Sequence, residues 1–114
     1  EAVDLLRGDV YNSAGITGLR KAFAMAELFG LNLEIHAAAA PLLDVAHIHV
    51  ACAARNCDFI ELLPSNCQFG LVGKPLAVAA DGTVACPTGP GLGVELDWDW
   101  IRAHTVLTLD CPDV

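Results

Sequence analysis

Apolar and polar positions divide the chain into short alternating elements. Residues 5–12 (LLRGDVYN) form a mixed run of strand length, and the Gly15, Ile16, Thr17, Gly18 that follows is turn chemistry before a helix. Thr17 is placed to cap that helix, so the strand is expected to end near Asn12. From Leu19 the apolar residues Leu19, Ala22, Phe23, Ala26 and Phe29 recur with the 3.6-residue period; Arg20, Lys21 and Glu27 fall on other faces, and Gly30 supplies a stop. This pattern predicts an amphipathic helix. Residues 31–36 (LNLEIH) alternate apolar and polar as a half-buried strand does, leaving His36 at the strand tip. Pro41 opens a second helical stretch running to about Ala54, and residues 58–63 (DFIELL) read as a further short strand.

The order β, α, β, α, β implies parallel strands joined by helical crossovers, so these residues predict an α/β fold, a slice of an open sheet or barrel. Catalytic groups in such folds gather at the C-terminal ends of the strands. Beyond Pro64 the texture changes. Residues 76–80 and 83–86 flank Asp81-Gly82, a hairpin signal. The run from Gly89 to Gly93 is expected to be a bend, since it lacks the spacing and the basic residue of a phosphate loop. Residues 97–104 predict a short helix with an acidic start at Asp97 and Asp99. A closed (β/α)8 barrel takes roughly 250 residues and eight strands, far more than this chain holds. A short parallel sheet covered on one face would leave an apolar surface on the other, so the chain is expected to be a fragment or to associate.

Composition narrows the function classes. The 114 residues are 54% hydrophobic and 18% charged, which excludes a disordered segment. Six Lys and Arg against 14 Asp and Glu give a net charge of −8, which repels phosphate backbones and anionic lipids and argues against nucleic acid or membrane as a partner. The most apolar stretch, residues 37–54, is broken by Pro41, Asp44, His47 and His49 and is no membrane span. The chain opens on Glu1 with no basic-then-apolar leader, so a cytoplasmic location is expected, and the missing start Met points to a piece of something longer. Cys52, Cys57, Cys67, Cys86 and Cys111 have neither disulfide nor zinc spacing and are expected to be reduced and mostly buried. His47 and His49 resemble a metal pair, but side chains two apart on a helix diverge, so a core and a surface histidine are expected. His104 is expected at the surface.

The stretches DVYNSAGITGLRKAFAMAELFG, LNLEIHAAAAPLLDVAHIHVACA, NCDFIELLP and DGTVACPTGPGLGVELDWDWI, in this order, resemble the C-terminal barrel segment of the mandelate racemase/muconate lactonizing enzyme family of the enolase superfamily. The resemblance implies the C-terminal part of a TIM-type barrel, incomplete in this chain, with β/α units over about residues 1–64 and a tail of hairpin, loop and short helix over residues 65–114. It also implies abstraction of the proton α to a carboxylate, giving an enediolate held by magnesium. By this resemblance Asp9 matches the aspartate of the sixth barrel strand, His36 the histidine ending the seventh, and Glu61 the glutamate closing the eighth. Asp9 and His36 would form a dyad, with Glu61 a substrate contact. A lysine occupies the place of Asp9 in the family's other large branch, so Asp9 argues against the muconate lactonizing and dipeptide epimerase types. Ala14 stands where the family often has glycine, and Ala38, Ala39 and Ala40 replace a loop that often carries Gly or Asn.

The residues support such chemistry on their own terms. A carboxylate bonded to one imidazole nitrogen fixes the tautomer and stabilises the imidazolium formed when the other nitrogen takes a proton. A general base supplies about 10²–10⁴-fold, so the enolate needs separate electrostatic stabilisation. The resemblance assigns that role to magnesium, and it puts the metal carboxylates, a second base and the capping domain outside these residues. The chain alone is therefore expected to be inactive, and the parent an acid-sugar dehydratase acting on a small carboxylate, working as a homo-oligomer. A racemase or epimerase is the alternative. A non-catalytic truncated barrel pairing with another chain is the rival of a different class, and a small independent α/β binding module is a third possibility. Glu61, between Ile60 and Leu62, is expected to be partly buried and to need a partner or a raised pKa. A structural salt bridge is the plain reading of that residue.

Overall fold

The computed structural model describes residues 3–37, 40–73 and 75–109, so Ala38, Ala39 and Cys111 lie outside the described residues. Strand β1 (Leu5–Gly8), helix α1 (Gly15–Leu28), strand β2 (Asn32–Ile35) and helix α2 (Pro41–Cys52) form one β/α unit and most of a second. A 3-10 turn at Ser65–Cys67 and helix α3 (Trp98–His104) belong to the tail. β1 and β2 pair in parallel, with Leu5 opposite Asn32 and Gly8 opposite Ile35. Their C-terminal ends therefore lie side by side.

Helix α1 follows the apolar period: Leu19, Phe23 and Ala26 are buried on one stripe. It ends where Gly30, at φ 67°, lets the Gly30 and Leu31 N–H groups donate back to the carbonyls of Glu27 and Ala26. Phe29 belongs to this closing turn and is exposed, not part of the buried stripe. At the other end β1 stops at Gly8, four residues earlier than the pattern predicts, because residues 9–13 are drawn into a turn closed by Ser13 N–H donating to the Asp9 carbonyl. Ala14, not Thr17, holds the capping position, in the left-handed region at φ 57° and ψ 47°, which explains the suitability of glycine there. Thr17 lies inside the helix. A Cβ on Gly18 would sit 1.6 Å from the Ser13 carbonyl oxygen, so only glycine lets this turn fold onto α1.

The third strand is reduced to one parallel bridge, Ile35 to Ile60, in place of the run expected over residues 58–63. The cause is Glu34, expected on the polar side of an alternating strand but in fact buried. Its carboxylate accepts from the N–H groups of Asp58 (3.0 Å) and Phe59 (2.6 Å) and from Asn32 Nδ2 (3.2 Å), taking backbone donors that a ladder would use. Backbone pairing survives on either side, from Leu33 N–H to the Asn56 carbonyl and from Glu61 N–H to the Ile35 carbonyl.

One core cluster joins the sheet to both helices through Leu19, Phe23, Leu33, Ile35 and Val50. A second lies between α2 and the tail, built on Val45, Ile48, Leu71 and Leu76. The tail has little regular pairing: the expected hairpin is one bridge, Val78 to Val84, closed by Ala79 N–H to the Thr83 carbonyl, and Leu71 bridges Leu96. Side chains do the rest. Buried Gln68 bonds both the N–H and the carbonyl of Leu76, and Asp97 caps α3 by accepting from Trp100 N–H at 2.9 Å. His104 is exposed and stacks on Trp100. Among the described residues no helix is long and apolar enough to cross a membrane.

The described cysteines depart from expectation in burial, not in being free thiols. Cys52 is exposed, while Cys57, Cys67 and Cys86 are half-buried, each a free thiol. Cys57 packs at the edge of the first core cluster and Cys86 at the edge of the second. Cys57 faces the Glu34 carboxylate, and burial together with that charge pushes its thiol up to about 11. Cys86 Sγ lies 3.4 Å from His49 Nδ1.

Candidate active site

The three residues singled out in the sequence come together at the strand tips. Asp9 follows β1 directly and His36 follows β2, whose last rung continues as His36 N–H to the Gly8 carbonyl at 2.9 Å. Glu61 follows the Ile60 bridge. The imidazole sits between two carboxylates: Nδ1 is 3.5 Å from Asp9 Oδ2, and Nε2 is 3.9 Å from Glu61 Oε2.

Asp9 is buried, and its turn holds it in place. Asn12 donates to it twice, from its backbone N–H to Oδ1 at 2.6 Å and from Nδ2 to Oδ2 at 2.8 Å. Burial pushes this carboxyl up, but the bonds from Asn12 and the contact with His36 outweigh it, so Asp9 titrates below the ordinary aspartate value. Glu61 departs from the sequence expectation. Its side chain is 52% exposed and its pKa is lowered, because Ala37 N–H donates to Oε2 at 3.0 Å and the Arg7 guanidinium reinforces the charge. The partner that a carboxylate between two apolar residues requires is Arg7, whose Nη2 lies 2.5 Å from Oε2.

Arg7 was missed by the sequence reading. Its place in β1, two residues before Asp9 and paired opposite Glu34 of β2, is the signal that would have found it. A cavity of about 430 Å³ opens beside the dyad, lined by Asp9, Tyr11, Asn12, His36, Ala37, Ala40 and Leu43. A half-exposed imidazole at the mouth of a cavity, with a carboxylate facing each ring nitrogen, is placed for proton transfer to a bound molecule.

The two helical histidines diverge. His47 is fully buried and turned toward the sheet, accepting from Val10 N–H at 2.9 Å. His49 is half-buried rather than on the surface: the tail covers it, and its Nε2 bonds the Leu92 carbonyl at 2.9 Å.

The residues present do not fit a magnesium ion. Asp9 is committed to Asn12 and His36, Glu61 is committed to Arg7 and Ala37, and among the described residues no three His, Cys, Asp or Glu side chains converge on one point.

The chain is similar to known proteins over most of its length. A D-mannonate dehydratase of Caulobacter vibrioides is 28% identical over 106 residues, covering 91% of this chain and 26% of that protein. Muconate cycloisomerase 1 of Rhodococcus opacus is 34% identical over 109 residues, covering 91% of this chain and 28% of the relative. A crystal structure of a mandelate racemase/muconate lactonizing enzyme from a Sulfitobacter species superposes with a TM-score of 0.81 at 30% identity, over 94% of this chain and 27% of that one. The chain thus spans about a quarter of the length of the curated relatives it matches. The family model described as enolase C-terminal domain-like matches residues 1–100, and the chain belongs to that family, within the mandelate racemase/muconate lactonizing enzymes of the enolase superfamily.

Proposed function

We propose that this chain supplies the proton-transfer corner of a longer enzyme that removes the proton α to a carboxylate, and that the reaction is dehydration of a small sugar acid. The observation that carries the reading is the placement of His36 between Asp9 and Glu61. Asp9, ionised, accepts the Nδ1 proton of His36 and leaves a lone pair on Nε2. Nε2 takes the α-proton as the C–H bond breaks, and the imidazolium is stabilised from both sides. The same Nε2–H then protonates the departing β-hydroxyl, which leaves as water while the α,β double bond forms; the resulting enol tautomerises to a 2-keto acid. The cavity seats the substrate, with Tyr11 and Asn12 available for its hydroxyls.

The negative charge that develops on the substrate needs electrostatic stabilisation beyond the dyad, and the described residues offer no carboxylate set to hold a cation for it. An aspartate rather than a lysine at position 9 favours a dehydratase over a cycloisomerase. The test is solvent deuterium exchange at the α-carbon of a panel of sugar acids, using the complete enzyme with magnesium. His36→Asn should lower exchange and turnover by about 10²–10⁴-fold. Keto-deoxy acid products mark a dehydratase, and C2 epimers mark a racemase. Exchange untouched by the substitution would remove His36 from the mechanism.

A further inference from the structure

Helix α2 buries two polar side chains one turn apart, Asp44 at 1% and His47 at 0% exposure. Burial of such groups is costly unless their hydrogen bonds are made, and here they are. Val10 N–H donates to His47 Nε2 at 2.9 Å, so that nitrogen carries no proton and the ring proton sits on Nδ1. Nδ1 faces Asp44 Oδ1 at 3.3 Å, and Asp44 Oδ2 accepts from Leu63 N–H at 3.2 Å. The result is a chain of hydrogen bonds that ends on the Asp44 carboxylate from both sides: the Val10 backbone donates to His47 and His47 to Asp44, while the Leu63 backbone donates to the other Asp44 oxygen.

The two ends of that chain are the backbones beside the dyad. Val10 follows Asp9, and Leu63 is two residues beyond Glu61. Asp9 and Glu61 are the carboxylates on either side of His36. Neither Asp44 nor His47 lines the cavity beside the dyad. We propose that Asp44 and His47 are positioning residues that set the separation of the Asp9 and Glu61 strand tips, and hence the aim of the His36 ring between them. This inference rests on the reading of His36 as the proton-transfer group. A pair of apolar residues would fill the same volume without gripping either backbone N–H. The buried pair therefore serves geometry more than packing.

The test compares His36→Asn, His47→Ala, His47→Gln and Asp44→Asn in the complete enzyme, by steady-state turnover. In His47→Ala, kcat should fall about tenfold to a hundredfold while KM stays within about twofold, because the bound substrate meets a misaimed ring. His47→Gln should recover most of the loss, since its Oε1 can accept from Val10 N–H and its Nε2 can donate to Asp44. Asp44→Asn, which presents an N–H to one of two donors, should lower kcat with KM kept; it carries the test if His47→Ala does not fold. A kcat unchanged in both His47→Ala and Asp44→Asn would overturn the positioning role, and so would equal losses in His47→Ala and His47→Gln. If His36→Asn abolishes turnover while the α2 variants retain it, the proposed function stands and the positioning role alone falls. If His36→Asn is active, both fall.

Discussion

Helices α1 and α2 sit in consecutive β/α units, yet they are buried in different ways. α1 hides one stripe, Leu19, Phe23 and Ala26, and leaves Met25 and Leu28 at 64% and 86% exposure. α2 is buried nearly all round, with Asp44, Val45, Ala46, His47, Ile48 and Val50 inside. The difference is the tail, which lays Leu71, Leu76, Leu92 and Leu96 against the side of α2 that faces away from the sheet. A helix with one partner has an open face for its polar residues. A helix between two layers has none, so any polar residue it keeps must be satisfied inside. Asp44 and His47 are such residues, and they reach the backbone N–H groups of Leu63 and Val10 beside the candidate site.

Truncation on each helix should separate the two modes of burial. Leu19→Ala and Ile48→Ala should each cost about 2–5 kcal/mol by chemical denaturation. Only Ile48→Ala should also open the tail to proteolysis between residues 68 and 96 before global unfolding; equal protection in both variants would show that the tail does not depend on α2. A smaller effect is expected from Gln68→Ala, which strands the N–H and carbonyl of Leu76 in the second cluster and should cost about 1–3 kcal/mol. The Leu76 amide should lose hydrogen-exchange protection in this variant while Phe23 in α1 keeps its own.

The mildest probe is acid. Asp9 is held below its ordinary value, so its contribution to stability is complete above the usual aspartate range and is lost as pH falls through its folded pKa. Its carboxylate holds the turn leading into α1, so the Asn12 and Ser13 amides should lose protection, measured against their intrinsic exchange rates, as pH falls through that range, ahead of amides in α2. Asp9→Asn should flatten this dependence.

Much of this arrangement was legible in the residues. The period from Leu19, the stop at Gly30, Pro41 opening α2 and Asp97 opening α3 are local signals, and each helix formed where its signal lies. The strands were harder to read, because what ended or replaced them is not local. The Asp9 turn cut β1 short, and the Glu34 carboxylate took the backbone donors that residues 58 and 59 would have given a third strand. In the candidate site, Asp9, His36 and Glu61 were found through strand-end placement and family resemblance, and the structure brings the Asp9 and Glu61 carboxylates each within 4 Å of the His36 ring. Arg7 went unnoticed because its partner is 54 residues away. The reach of His47 to Val10 depends on how α2 packs on the sheet, which no local pattern encodes.

The contact between Gly18 and the Ser13 carbonyl changes how a mutational survey of this protein would read. Scored by turnover alone, position 18 would accept no side chain and would look like a proton-transfer residue, although it lies outside the cavity beside the dyad. Its intolerance has a backbone origin: any Cβ there forces apart the turn that carries Asp9 and the first turn of α1. Scored by cellular abundance, positions 18 and 36 should separate, with Gly18 variants lost and His36 variants retained. A paired survey of this kind would sort residues that build the site from those that act in it.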